Sequence, residues 1–300
     1  MPADLAELLN DPAKFIGIPI ALVGAVFLSL GAQFQHRGVV KVERFSKRSG
    51  SSGLSGGQMI ALLSRPSWVI GTLLLGLAIV FQLTSLGFSP LIVVQPLGAV
   101  ALVITSVVNA RVSHVRLNAA SVRAIVLCVG GVGTFVLVAA FNAVDKAIRT
   151  PELITILVIL AVVLVVFVIA FRVFRRGAKA LFYIVGAGVV YGFVATLAKV
   201  VLNRIKYAEF DALTVVCIVA LLAAAALGGY FVQNAYSTGP PDLVVAGLTV
   251  IDPLVAVAIG IVVLGEAQYA APWAIPLFIA AGAVAISGVF LLAKHHPQAR

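Results

Sequence analysis

Two charged residues of this sequence, Lys199 and Asp252, lie inside long apolar stretches, whereas the other Lys, Arg, Asp and Glu residues lie outside such stretches or at their edges. A carboxylate within apolar sequence is energetically costly in a membrane unless it is paired, hydrated or protonated. Asp252 is therefore predicted to be a proton- or cation-coupling carboxylate of a transport path. The alternative is a buried acid that Lys199 or neighbouring hydroxyl groups hold in place.

Lys199 lies late in its apolar stretch, and its position allows three interpretations. Its long stem can carry the ammonium to the membrane interface, its charge can pair with Asp252, or it can receive an anionic group of a substrate. A Lys199 that pairs with Asp252 would be released when that carboxylate takes up a proton.

Uncharged polar side chains in the same stretches are further candidates for a path. Amides and hydroxyls either line a cavity or form hydrogen bonds between helices, and the sequence leaves both roles open. A cavity requires several of them to converge with Asp252. The candidates for the substrate or ion pathway are Gln33, Gln82, Gln95, Asn109, Tyr191 and Gln233.

Two prolines are predicted to break helices beside these candidates. Proline has no N–H and leaves the carbonyl of the residue four positions earlier without its helical donor. Pro253 directly follows Asp252, so a local opening there would expose an acid and carbonyl oxygens to a cavity. Pro96 is the corresponding residue of an earlier stretch.

The composition places these residues in a membrane. The sequence is 62% hydrophobic and 11% charged, with a mean hydropathy of +1.14, which cannot fold around one core in water. About 18 apolar residues suffice to cross the bilayer as a helix, so we expect an all-α integral membrane protein. The nine predicted spans are 15–35, 69–88, 91–109, 124–141, 153–171, 180–203, 212–232, 243–264 and 273–293.

The distribution of Lys and Arg orients the spans, because cytoplasmic loops are enriched in these residues. Basic residues dominate the connections 36–65, 110–123 and 172–179, whereas acidic residues dominate 1–14. The N-terminus is therefore expected outside and the C-terminus in the cytoplasm, in a cell membrane whose lipid bilayer is the main partner. The net charge of +10 is a topology signal and not a sign of nucleic-acid binding, since the basic residues lie in short connections next to the membrane.

The sequence contains no recognisable cofactor or metal motif. Cys128 and Cys217 lie within spans and predict neither a disulfide nor a metal site, and the four histidines lie at span edges or in the tail, without the clustering that a metal site needs. Residues 49–57 are predicted to be a flexible Gly/Ser linker in the first cytoplasmic loop. The acidic beginning of the chain lacks a basic leader, so the first span is expected to remain as a helix.

Two halves of the chain, 15–141 and 153–293, have similar patterns. A Pro-Leu pair begins at Pro96 in one half and at Pro253 in the other. By the predicted orientation the halves are inverted, which is the architecture of many secondary transporters that bind their substrate at the repeat interface. The fifth span, 153–171, has no counterpart and is expected to be a peripheral, lipid-facing helix.

Glycines recur on single faces of two spans. They occur every seven residues from Gly17 to Gly38, and Gly188 and Gly192 form a GxxxG motif. Small residues let neighbouring helix backbones approach closely. Both sets are therefore predicted to be packing surfaces.

The block 68–118 carries a set of family motifs: a Trp-x-x-Gly start at Trp68, a Ser-Pro corner at Ser89, Pro-Leu-Gly-Ala at Pro96 and Arg-Leu-Asn at Arg116. With these motifs the sequence resembles the NIPA-type magnesium transporters, a family within the drug/metabolite transporter superfamily. Weaker similarity, including the Gly-Glu turn, extends over most of the chain.

The chain departs from the family pattern in the second span. There, Ile79 and Gln82 stand where the family has a Glu and an Asn, and an Asn-Glu-Arg after the third span is replaced at 114–116. Two acids that a Mg²⁺ path could use are thus absent.

The residues and the resemblance together predict a transporter. One deep acid, one deep base and several amides suit proton-coupled, alternating-access transport of a small polar solute, either zwitterionic or anionic. The alternative is Mg²⁺ transport, which the resemblance implies and for which Asp252 and Glu266 would be the candidate ligands; otherwise Glu266 is expected at a helix end.

A non-transporting membrane scaffold is the alternative from another class. An enzyme is not expected, because no nucleophile with a base and no paired acids lie at one depth, and a homodimer is compatible with the sequence.

Overall fold

The computed structural model describes residues 12–46, 64–112, 118–174, 180–208, 210–238 and 241–295. The linker predicted at 49–57 lies outside these residues. Within them, the regular secondary structure is entirely helical. The α-helices are α1 (Ala13–Ser46), α2 (Pro66–Phe88), α3 (Leu91–Val94), α4 (Gly98–Val112), α5 (Ala119–Asn142), α6 (Thr150–Phe174), α7 (Ala180–Lys206), α8 (Ala212–Thr238), α9 (Pro241–Val262) and α10 (Ala274–His295).

Nine helical segments of the described residues are long and apolar enough to cross a membrane, which confirms the nine predicted spans. Each apolar run forms a helix because a helix satisfies its own N–H and C=O groups where no water is available. The largest difference in bounds is in α1, which continues past Gln35 to Ser46.

The third span is discontinuous. α3 ends at Val94, a 3₁₀ turn covers Gln95–Leu97, and α4 begins at Gly98. Pro96 lies in that turn, so an interruption is present where the sequence predicted one. Pro253 lies inside an uninterrupted α9, and the break predicted there is wrong. One missing N–H removes a single hydrogen bond, and the flanking turns remain helical.

Glycines allow close contact between several helix pairs. A methyl group added to Gly17, Gly24 or Gly31 would touch or overlap atoms of α2. In the same way, Gly188 and Gly192 of α7 face α9. Both predicted packing surfaces are confirmed.

The main helix pairings follow one scheme in the two halves of the chain. α1 packs on α2 and α4, α7 packs on α8 and α9, and α5 packs on α10 across the halves. At that junction, a Cβ on Gly131 would lie 2.5 Å from the backbone nitrogen of Ala285, so the two backbones are in direct contact.

The fifth span, α6, lies at the edge of the bundle. Leu153 and Ile156 are fully buried on one side of it, whereas Val158, Val162 and Val165 on the other are each more than half exposed. This is the arrangement expected of a peripheral helix that faces lipid.

Candidate functional site

A cavity of about 540 Å³ lies between α1, α2, the third span, α7 and α9. Small residues of α1, namely Ala21, Gly24 and Ala25, line one wall and leave the space open. Most of the lining residues come from the middle of their spans, whereas Gln95 and Gly98 lie near the beginning of the third span, and Ile79 on the cavity wall is 61% exposed. The polar lining of the cavity consists of Gln82, Gln95, Tyr191, Thr249 and Asp252.

Asp252 is the only acidic residue of this lining. Its Oδ1 is buried and has no hydrogen-bond partner among the described residues. Gly188 and Gly192 hold α9 against α7 at this level, because a Cβ on Gly192 would lie 3.0 Å from the Asp252 carbonyl oxygen. The close helix contact therefore fixes the height at which the carboxylate meets the cavity.

Thr249 and Pro253 line the cavity beside Asp252. The Thr249 hydroxyl donates to the carbonyl of Val245 at 2.7 Å, which leaves its oxygen lone pairs available. Pro253 has no N–H to donate to the Thr249 carbonyl one turn earlier. α9 thus supplies the cavity with a carboxylate and a hydroxyl, and its continuous helix contains one backbone carbonyl that lacks its usual donor.

The structure brings together four of the predicted pathway residues, Asp252, Gln82, Gln95 and Tyr191. Gln95 reaches the cavity from the 3₁₀ turn and is 5% exposed, so the interruption of the third span positions its side chain. Amide and phenol groups can accept or donate hydrogen bonds, and they suit either a bound solute or the water shell of an ion.

Other predicted pathway residues lie away from this cavity. Gln33 is half-buried on α1, where it is not part of the lining, and Gln233 is exposed on α8. Asn109 belongs to α4, but its side chain lies outside the described part of the structure. Pro96 lines a smaller apolar cavity on the other side of Pro253.

Lys199 is buried, and its partner is not Asp252. The Lys199 Nζ lies 2.9 Å from Oδ1 of Asp145 and donates to the backbone carbonyls of Leu86 at 2.8 Å and Ser89 at 2.9 Å. Its side chain is 3% exposed. Both the pairing with Asp252 and the extension of the ammonium to the interface are therefore wrong, because the Asp145 carboxylate balances the charge inside the protein and two backbone carbonyls accept hydrogen bonds from the ammonium.

Glu266 lies at the same end of the bundle as Lys199 and not in the cavity. Its two carboxylate oxygens each accept a hydrogen bond of 2.8 Å, from the N–H groups of Leu91 and Ile92 at the beginning of α3. The helix-end role expected for Glu266 is present, although the helix that it caps belongs to the other half of the chain. Its use as a Mg²⁺ ligand together with Asp252 is not supported by this placement.

The pKa of Glu266, which lies in the connection after α9, is raised to about 7. Burial is the main cause, and it outweighs the Lys199 charge and the N–H groups of Ile92 and Leu91, which lower the pKa. Gly260 makes room for this carboxylate, since a Cβ there would lie 2.8 Å from Oε2. Glu266 is therefore a titratable group near neutral pH.

Sequence reasoning missed Asp145, which lies in the connection between α5 and α6. The available signal was the predicted orientation, which puts this connection on the same side of the membrane as the end of α7.

In the described residues, no three His, Cys, Asp or Glu side chains come together as a metal site. The cavity therefore offers a single carboxylate to any ion.

Comparison with known proteins adds the family. The sequence model of the family described as "Magnesium transporter NIPA" matches residues 13–225, well over half of the chain. This chain belongs to the NIPA magnesium transporter family. It is thus a multi-pass membrane transporter and not an enzyme, in line with the sequence analysis.

Individual relatives of this NIPA family member are distant. The chain is 24% identical over 263 residues to an uncharacterized protein of Corynebacterium glutamicum, covering 87% of this chain and 89% of that protein. It is 32% identical over 122 residues to "Probable magnesium transporter NIPA3" and 29% over 121 residues to "Probable magnesium transporter NIPA4", both of Arabidopsis thaliana. Each plant match covers 40% of this chain and about a third of the plant protein. No solved structure matches the chain significantly.

One of the two departures from the family pattern lies in the cavity, and the other, at 114–116, lies outside the described residues. Ile79 and Gln82, at the positions where the resemblance implies a Glu and an Asn, both line the cavity. The acid that remains is Asp252 on the opposite half of the chain. As a consequence, the cavity offers an ion fewer direct carboxylate contacts than the family pattern implies.

Proposed function

We propose that this protein transports Mg²⁺ through the Asp252 cavity. The observation that carries the proposal is the buried Oδ1 of Asp252, which has no hydrogen-bond partner among the described residues and belongs to a cavity with amide and hydroxyl groups. A hard divalent cation prefers oxygen ligands. The family match and the names of the plant relatives support Mg²⁺ as that cation.

The partner of Lys199 supports one of the two solutes that the sequence left open. A zwitterionic or anionic solute was the leading interpretation because a deep base accompanied the deep acid. Lys199 is neutralised by Asp145 and does not line the cavity. A cavity with a carboxylate and no cationic side chain favours a cation, which supports Mg²⁺ over a zwitterionic or anionic solute.

The size of the cavity fits an ion that keeps its water shell. Mg²⁺ gives up its six waters reluctantly, and six waters occupy about 180 Å³ at about 30 Å³ each. The cavity of about 540 Å³ has room for that complex. Gln82, Gln95 and Tyr191 would then contact the bound waters, while Asp252 supplies the charge.

The helix pairings support transport by alternating access between two inverted repeats. α1 with α2 and α4 forms the same scheme as α7 with α8 and α9, and the cavity lies between these two groups. Proton coupling is the second part of the proposal, because protonation of Asp252 would remove the charge that holds the ion.

Cation binding to purified protein tests this proposal. Mg²⁺ should raise the unfolding temperature of the wild type, since a ligand that binds the folded state stabilises it, and Asp252→Asn should abolish the rise. Asp211→Asn is the matched control, because Asp211 lies outside the cavity and is about half exposed, at 51%. A rise that persists in Asp252→Asn would refute the assignment of the site.

A further inference from the structure

The ammonium of Lys199 occupies a cradle of oxygen atoms. Oδ1 of Asp145 lies 2.9 Å from Nζ, the Leu86 carbonyl oxygen 2.8 Å and the Ser89 carbonyl oxygen 2.9 Å. These atoms come from three places in the chain: the last turn of α2, the corner that follows it, and the connection between the halves. A carboxylate and two carbonyls are also the ligands that hard metal cations take in proteins.

The two carbonyls of this cradle are suited to contact a cation because of the local backbone, independently of Lys199. Leu86 is in the last turn of α2, where the carbonyls have no helical N–H to accept from. The partial negative charge at a helix C-terminus favours cations at that position. The next corner, Ser89–Pro90, is held by the bond from Ser89 N–H to the Ser85 carbonyl at 2.9 Å. The cradle is thus built into the backbone.

Glu266 adds a second carboxylate to this region. It interacts electrostatically with both Lys199 and Asp145, and its backbone carbonyl accepts a hydrogen bond of 2.9 Å from Val144 N–H. Lys199 is therefore in contact with one carboxylate and two backbone carbonyls, and a second carboxylate interacts with it electrostatically. Without that lysine, the Asp145 carboxylate would lose its ion-pair partner.

The cradle lies beyond the cavity, on the way to one end of the bundle. Lys199 is eight residues after Tyr191 on α7, which corresponds to about 12 Å along the helix axis. The corner after α2, the connection after α5 and the connection after α9 meet there. An ion leaving the cavity toward this end would come to the Lys199 cradle next.

We infer that the Lys199 cradle is a second divalent-cation site on the transport path, which the lysine ammonium occupies when this end of the protein is closed. A cation arriving there replaces the ammonium on Asp145, Leu86 and Ser89, and the lysine returns when the ion has left. Lys199 is thus a tethered competitor of the transported ion. This inference rests on the cation transport proposed above.

Counting bound Mn²⁺ on the full-length protein by electron paramagnetic resonance tests the inference, with Mn²⁺ as a paramagnetic substitute for Mg²⁺. Lys199→Met keeps the length of the stem and removes the charge, so it should bind one Mn²⁺ more than the wild type. Lys199→Met with Asp145→Asn should lose that additional ion. In Asp252→Asn with Lys199→Met, the additional ion should remain while the cavity ion is lost.

Lys146→Met is the matched control. Lys146 lies next to Asp145 and pairs with Glu152 at 3.2 Å, but no backbone carbonyls surround it in the same way. Its replacement also removes a positive charge from this end of the protein, yet it should add no bound Mn²⁺. An equal gain in Lys146→Met would mean that the effect is general electrostatics, and would overturn the inference.

The other outcomes are equally distinct. A folded Lys199→Met that binds no additional Mn²⁺ overturns the second site, whatever the cavity binds. A wild type without bound Mn²⁺ counts against the Asp252 proposal alone, because the additional ion of Lys199→Met is counted separately. If Lys199→Met unfolds in chelator, its recovery on addition of Mg²⁺ supports the inference; if it does not recover, Lys199→Gln is counted, and no gain there overturns the inference.

Discussion

The Lys199 ammonium and the Asp145 carboxylate lie 2.9 Å apart and join α7 to the connection between the two halves of the chain. Because Lys199 pairs with Asp145, it does not pair with Asp252. Asp252 remains in the cavity without a charged partner in the described structure. It also joins the end of α7 to the corner after α2, through Leu86 and Ser89. The residues that hold this end of the bundle together are therefore different from the residue that supplies the cavity with its negative charge.

Asp145→Asn should destabilise the protein substantially. Removing one partner of a buried ion pair leaves the other charge unpaired, which typically costs about 3 to 5 kcal/mol, and the two side chains are only 3% and 17% exposed. Denaturant unfolding in detergent measures the loss. Adding Lys199→Met to Asp145→Asn should recover part of it, because the unpaired ammonium is then gone. A double variant that is no more stable than Asp145→Asn would show that the pair is not the source of the loss.

Gly192→Ala should weaken both packing and ion binding. The new Cβ would lie 2.7 Å from Cβ of Val255 and 3.0 Å from the Asp252 carbonyl oxygen, so α9 must move. Such overpacking typically costs about 1 to 3 kcal/mol, and the Mg²⁺-dependent rise in unfolding temperature should shrink as Asp252 is displaced. Gly133→Ala is the control, since no atom lies within 4 Å of its added Cβ. Equal Mg²⁺ responses in the two variants would contradict this account.

The stability of the protein should depend on pH through Glu266. Burial raises the pKa of Glu266 from 4.5 to about 7, so the folded state binds the proton more tightly than the unfolded state. The resulting stabilisation is complete below pH 4.5 and is lost as the pH rises through about 7. Glu266→Gln cannot titrate and should show a flatter pH profile of unfolding across this window.

Lys199 and Asp145 face Glu266 and are present in both proteins, so the difference between the two pH profiles reports the Glu266 carboxyl with these neighbours in place. The subtraction should leave a decline in wild-type stability between pH 4.5 and about 7. Identical profiles would show that Glu266 does not titrate there.

Ile79→Glu should strengthen cation binding. This substitution places a carboxylate in the cavity lining, at the position where the resemblance to the family implies a Glu. A second negative charge should tighten Mg²⁺ binding by about tenfold, equivalent to about 1.4 kcal/mol, as measured by isothermal titration. Ile79→Gln is the matched neutral variant and should leave the affinity near that of the wild type; a comparable gain in Ile79→Gln would mean that charge is not the cause.

The spans and their glycine contacts could be predicted because the bilayer imposes simple rules. Only a helix satisfies its backbone in lipid, so the length of an apolar run suffices to find it. The heptad of glycines from Gly17 and the GxxxG at Gly188 indicate close contacts directly. Gln82, Gln95 and Tyr191 could be named as polar residues of apolar spans, whereas their convergence with Asp252 is seen only in the structure.

The partners of the charged residues could not be predicted. Asp145 is 54 residues before Lys199 in sequence, and Glu266 accepts hydrogen bonds from residues 174 and 175 positions away. Such contacts depend on which connections meet in space, and apolar runs carry no information about that. Gln233 was assigned to the path because a span that is apolar on nearly all sides gives no periodic signal for its inward face.

The most direct test of the central claim is Mg²⁺ flux into proteoliposomes that contain an internal Mg²⁺ dye and an internal pH dye. Wild type, Asp252→Asn and Asp211→Asn would be compared under an imposed Mg²⁺ gradient. The account predicts Mg²⁺ entry with the wild type and with Asp211→Asn, and its loss with Asp252→Asn, while the pH dye reports whether protons move in exchange. Mg²⁺ entry through Asp252→Asn at the wild-type rate, or no Mg²⁺ entry with the wild type, would contradict it.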